Sequence, residues 1–292
     1  MTIAACYLSA EGVVFGADST STVFVPGPTT QPAGVDRHFD FGQKIFEVGE
    51  AATLGIATWG LGGLPAKSYR TMVAELADEL AGQPAASVEE VATQWGERFW
   101  AEYSTRLAGV LHRTRELLQN PARTPEQEKE LEDLVQSFSG GFCVGGYQLP
   151  DRTPYAFEIS YAPDRTAIGV AIPQKLGASK FWGCPSLIRR AILAIEQDVM
   201  EAIICLDKWI GTAEDLRSLL QEFVLTQPQN LPIRDAIDWV HAAVYATIKL
   251  MKFSHLAPVC GGPVEIAVIT TDRRFRWVRH KDLGAAIDSQ GF

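Results

Sequence analysis

The sequence predicts an α+β fold on a mostly antiparallel core, and three observations carry that prediction. Apolar runs of strand length come in pairs joined by short turns, as in TIAACYLS and GVVFGADS across AEG. Strand-type and helix-type periodicity occupy separate blocks, in the order strands, helices, strands, helices, strands. No strict one-for-one alternation of strand and helix appears, which counts against a doubly wound sheet. Neither half holds a self-contained set of elements, so residues 1–292 read as a single domain.

Taken in order, the first hairpin leads into PGPTTQPAGVDRHFD, whose Pro, Gly and polar content reads as a loop. QKIFEV and AATLGIATW form a second hairpin across GE. The period then becomes helical at LPAKSYRTMVAELADEL. The stretch from Ser87 to Leu118 reads as one long helix, opened by a capping box of Ser87 with Glu90. NPAR breaks it, and the next helix starts with Thr124 as N-cap, Pro125 at the first position and Gln127 completing the box. Strand patterns return at SGGFCVGGYQ, PYAFEISY, TAIGVAI and ASKFWGC. Helices follow over 185–210, behind Thr212, and from Ile233 to Phe253. GPVEIAVITT and FRWVRH close the chain as strands.

Composition narrows the function classes. Hydrophobic residues at 47% and charged residues at 21% supply a sizeable core. A net charge of −9 argues against nucleic-acid or acidic-membrane partners. The best basic run, DRRFRWVRHK, alternates Arg274 and Arg276, with Arg279, onto the solvent side of a late strand. No basic n-region follows Met1, and the longest apolar stretches fall far short of a membrane span. The five cysteines are scattered without CxxC spacing, as expected of a reducing cytoplasm. The five histidines show no ligand spacing, so no metal site is expected; no other cofactor is expected either.

Three residues at the front stand out. An N-terminal threonine supplies a nucleophilic hydroxyl and, in its α-amine, a base of near-neutral pKa. For Thr2 this requires removal of Met1, which the small threonine side chain permits; no longer propeptide is expected. Asp18 ends the second apolar run and Lys44 enters the third, both poor residues for core strands. A cation beside Thr2 would favour the neutral, proton-accepting amine. Each residue has a plainer reading: Thr2 as a strand residue, Asp18 as a turn residue and Lys44 as an edge-strand guard. Their order and spacing favour a shared site.

The run T-I-A…GVVFGADSTST…GQKIFEV resembles the proteasome β-subunits and the related bacterial ring protease, which are N-terminal-nucleophile hydrolases. FCVGGYQLPDRTPYAFEIS looks like that family's central hairpin, and CGGPVEIAVIT like its late S-G-G-P-V strand. The likeness covers most strand segments within 2–60, 140–186 and 258–282; the helical stretches between resist alignment. It implies a four-layer αββα sandwich of two mostly antiparallel sheets, with helical insertions near 22–40, 115–139 and 200–230. It implies Thr2 as nucleophile, Asp18 and Lys44 as its electrostatic partners, and the Gly60 N–H in TWGLGG as oxyanion donor. Thr20, Phe46 and Thr58 fall near the family's specificity pocket, which suggests a modest, partly apolar one.

Two departures concern the supporting shell. Where the family has the Ser of a G-S-G turn, this chain has Cys184 between Gly183 and Pro185. Where it has an Asp three residues before the Ser of S-G-G, this chain has Ala257 and Cys260. These thiols read either as inert packed cysteines or as a reactive pair beside Thr2. The resemblance implies a threonine peptidase acting on peptides or unfolded proteins, cytoplasmic and homo-oligomeric, with a ring as one form and an ATP-dependent unfoldase as a candidate partner. A small-molecule amidase and a catalytically silent assembly subunit on the same fold are the alternatives.

Overall fold

Two five-stranded antiparallel sheets organise the computed structural model. It describes residues 2–23, 37–50, 52–193, 195, 197–206, 208–223, 225, 229–254 and 259–281. In the first sheet, β1 (Ile3–Ser9) lies between β10 (Ala178–Gly183) and β2 (Gly12–Ala17); beyond β2 come β11 (Glu265–Thr270) and β12 (Arg273–Arg279). The second runs β5 (Ile45–Glu47), β6 (Leu54–Gly60), β7 (Gly140–Gly146), β8 (Tyr155–Tyr161) and β9 (Ile172–Pro173). With eight α-helices among the described residues the class is α+β, and the arrangement is compatible with a sandwich.

Three apolar clusters explain why so many strands read as unbroken hydrophobic runs. Along β1 the alternation is strict: Ala4, Cys6 and Leu8 join Phe15, Ala57 and Cys143 in a cluster shared by both sheets. Ile3, Ala5 and Tyr7 turn to the other face, packing with Val240 and Val244 of α8 (Ile233–Lys252) and with α5 (Ser186–Leu193). The second sheet divides likewise. Cys143 faces the first sheet, while Phe142 and Val144 face α1 (Tyr69–Gly82), α2 (Val88–Arg106) and α3 (Ala108–Gln119). A strand covered on both faces needs apolar residues at every position; antiparallel strands with one solvated face do not. Burying each large side chain of this kind contributes about 1.5–3 kcal/mol.

Most predicted elements appear, with identifiable departures. Thr124 caps α4 (Pro125–Phe138) in the full reciprocal box with Gln127. At α2 the box is incomplete: Ser87 accepts the Glu90 N–H, but the Glu90 carboxylate takes the Ala86 N–H at 2.6 Å. The long helix expected over 87–118 divides at Leu107, a buried residue at φ −112° and ψ 25°. Its side chain joins the buried cluster that α2 and α3 share, and Gly109 in the next turn is a weak helix former. The 185–210 helix is likewise two, α5 and α6 (Gln197–Ile204). TAIGVAI supplies only the start of the two-residue β9, because Pro173 has no ladder donor and confines this segment to the sheet edge. Behind Thr212 lies α7 (Ala213–Leu220), again with a full capping box.

The 26–40 loop is also more structured than expected at its end, where β4 (Arg37–Phe39) pairs with β3 (Ser21–Val23); positions 24–36 lie outside the described residues. Arg274, Arg276 and Arg279 take exposed positions on β12. Among the described residues, no helix is long and apolar enough to cross a membrane, and no group of three His, Cys, Asp or Glu could hold a metal ion.

Candidate active site

The site begins where β2 ends. Asp18 has no exposed surface, and its backbone and side chain together clamp the start of β1: its N–H donates to Ile3 O at 3.1 Å, and its Oδ1 accepts from Ile3 N at 3.0 Å. Oδ2 accepts from Gly261 N at 2.9 Å and from Thr20 N at 3.3 Å. The fourth donor is Lys44, whose Nζ lies 2.5 Å from Oδ1 and 2.6 Å from Thr20 O. A buried charge is tolerable only when paired and hydrogen-bonded, and here each partner supplies what the other lacks. Lys44 is placed by the β5–β6 ladder, its carbonyl accepting the Thr58 N–H at 2.9 Å.

Thr2 stands one residue ahead of Ile3 and is 4% exposed. Its carbonyl accepts the Cys184 N–H at 2.7 Å. That close approach depends on Gly183, at φ +84°, where a Cβ would come 1.8 Å from Thr2 O. The link from Thr2 to the ion pair runs through the Ile3 backbone; among the described residues no hydrogen bond joins the Thr2 hydroxyl to the Lys44 ammonium. Thr2, Asp18 and Lys44 therefore converge on one end of the two sheets, with the cation bound to the carboxylate rather than to the hydroxyl. Gly60 closes β6, on the strand beside Lys44, also at φ +84°. A Cβ there would come 2.2 Å from Ser139 O, so a glycine is required by the backbone alone.

The pocket residues separate. Phe46 lines a groove of about 440 Å³ with Phe41, Gln43, Gly62, Tyr69 and Arg70, reaching from the segment beside Lys44 to the start of α1. Thr20 and Thr58 are not in its lining. The Thr20 hydroxyl donates to Asp40 Oδ1 at 3.0 Å, and that of Thr58 to Gly141 O at 3.2 Å, so both serve the local fold.

Both thiols lie near the ion pair. Cys260 is buried, 3.4 Å from Met251 Sδ, and burial pushes its thiol up to about 12, with Asp18 adding to the effect. Burial also raises the Cys184 thiol above its usual range, and Asp18 contributes. Burial of this kind favours the neutral, poorly nucleophilic form of a thiol. Ala257 lies outside the described residues. Iodoacetamide at pH 8 is expected to modify exposed Cys205 first and to leave Cys184 and Cys260 unmodified, by peptide mass mapping. Modification of Cys260 at the rate of Cys205 would contradict this.

A second buried ion pair escaped the sequence reading. Glu265, with no exposed surface, opens β11 opposite Ala17; Lys281 Nζ lies 3.0 Å from its Oε2 and His280 Nδ1 2.7 Å from its Oε1. These are charge contacts without the alignment of hydrogen bonds. The signal was present, since Glu265 is the one carboxylate inside GPVEIAVITT, but Lys281 stood in a basic run that reads as a solvated face. In comparison with known proteins, no family model matches the chain and no curated protein matches it.

Proposed function

We propose that the chain is a threonine-type N-terminal-nucleophile hydrolase cleaving peptide amide bonds, on a four-layer αββα sandwich. The observation that carries this reading is the buried Asp18–Lys44 pair, whose carboxylate is bonded to the residue next to Thr2. Removal of Met1 gives Thr2 a free amine of reference pKa about 7.7–8.0, able to act as base near neutrality. The hydroxyl oxygen attacks the amide carbonyl while the amine, directly or through a water, takes its proton. Lys44 favours the negative charge that develops at this end of the sheets, and the Gly60 N–H is the oxyanion donor. The proton passes to the leaving amine, leaving an ester on Thr2 that water hydrolyses. The groove that Phe46 lines with Phe41, Lys67 and Arg70 offers an extended peptide both apolar and charged contacts. The resemblance to the proteasome β-subunits further suggests a homo-oligomer, with a ring as one form and an ATP-dependent unfoldase as a candidate partner.

One observation favours the second reading, a catalytically silent assembly subunit: Lys44 gives its short bonds to Asp18 and Thr20 and none to the Thr2 hydroxyl. The test is hydrolysis of a fluorogenic peptide panel by the wild-type protein and Thr2→Ala, with intact mass checking the loss of one methionine. Loss of about 10³-fold or more in Thr2→Ala supports the hydrolase. Undiminished turnover in Thr2→Ala ends it. A stable ring without turnover supports the silent subunit, and turnover of small amides alone supports an amidase.

A further inference from the structure

We infer that Lys281, through its buried pair with Glu265, is a positioning residue that fixes the segment carrying Lys44 against the segment carrying Asp18. The inference rests on the reading of Thr2, Asp18 and Lys44 as the reaction centre.

Lys281 touches both sides of that centre. Its Nζ, in addition to its contact with Glu265, donates to Gly42 O at 3.1 Å. Gly42 in turn gives its N–H to Ser19 O at 2.8 Å. Ser19 precedes Thr20 and follows Asp18; Gly42 stands two residues before Lys44. On the other side, Glu265 pairs across the sheet with Ala17, the residue before Asp18. Ser19 is itself tied down, its N–H donating to Gly261 O at 3.0 Å and its hydroxyl to Pro263 O at 2.7 Å. One ammonium thus spans from the β2–β11 ladder to the turn that enters β5.

Stability alone does not account for the pair. Position 281 lies beyond the last partnered residue of β12, Arg279, so the sheet does not require its burial. Two charges taken out of water often stabilise a fold no better than apolar residues of the same size. A donor at a fixed point, aimed at one backbone carbonyl, is what an apolar side chain cannot supply. The side chain of Lys281 is 5% exposed while that of its neighbour His280 is 40% exposed, stacked on Trp277 at 4.2 Å. Of the two side chains on Glu265, the lysine is the one built into the site.

The test compares Lys281→Met with the double variant Glu265→Gln/Lys281→Met. The single variant leaves the buried Glu265 carboxylate with His280 alone and is expected to lower the melting temperature. The double variant removes both charges and is expected to recover most of that stability. Its site stays unpinned: labelling of Thr2 by a peptide epoxyketone, per folded molecule, is expected to be about ten- to a hundredfold slower than wild type. Hydrogen exchange at the Gly42 amide is expected to be faster, with β1 and β2 unchanged. A double variant that labels at the wild-type rate and protects Gly42 normally would overturn the inference. Should the wild-type protein itself resist the probe, the reading of Thr2 fails, and Gly42 exchange still decides whether Lys281 pins this segment.

Discussion

Replacing Lys44 with methionine is expected to cost about 3–5 kcal/mol of stability and to lower peptide hydrolysis by about 10³-fold. The two losses share one cause. Asp18 has no exposed surface, and without the ammonium it keeps three backbone donors but no counter-charge. Against a typical total of about 5–15 kcal/mol, that loss is large but compatible with a folded variant. The chemical loss follows because no other cation contacts Asp18 among the described residues; Lys281 is committed to Glu265 and Gly42. Urea denaturation measures the first effect and steady-state peptide hydrolysis the second. A methionine variant that hydrolyses peptides at the wild-type rate would show that Lys44 is only a structural partner of Asp18.

The second large effect is expected at Gly183→Ala. Two separable costs fall on this position. An L-residue at φ +84° carries strain of about 1–3 kcal/mol, whatever space surrounds it. The added Cβ also meets Thr2 O at 1.8 Å, a backbone atom that cannot rotate away. Relief requires moving the end of β10 from β1, which breaks the 2.7 Å bond from Cys184 N to Thr2 O and costs about 1–3 kcal/mol more. Gly177→Ala is the control: at φ +75° it bears similar strain, but its Cβ would find its nearest neighbour at 3.4 Å. Gly183→Ala is expected to melt several degrees below Gly177→Ala and to lose peptide hydrolysis, while Gly177→Ala retains it. Equal melting temperatures would mean that β1 yields at Thr2 without penalty.

The charged residues of the site show what the sequence discloses and what it withholds. Asp18 and Lys44 were legible because each is a lone charge at the end of an apolar run, where an unpaired charge would be intolerable. Glu265 carries the same signal, yet its partner is Lys281, after the turn at Thr271 and the whole of β12. Proximity there follows from the ladder, which local pattern does not encode. The sheets were legible for a related reason, since apolar alternation on β1 serves one cluster with even positions and another with odd ones. Breaks were harder. Leu107 satisfies the helical period as well as its neighbours do, yet the chain bends there, where its buried side chain joins the cluster that α2 and α3 share. Thr20 and Thr58 were placed by resemblance to a pocket, but a hydroxyl's partner is chosen in three dimensions. Asp40 and Gly141 claim them.

The central claim is that Thr2, freed of Met1, carries both the attacking oxygen and the accepting nitrogen. A peptide epoxyketone probes both at once, because its ketone requires the hydroxyl and its epoxide the free amine. Incubation of the protein from its native host, followed by intact mass and peptide mapping, is expected to show one methionine lost and one probe adduct on Thr2. Met1 retained on the native protein, or an adduct elsewhere with Thr2 unmodified, would contradict the account.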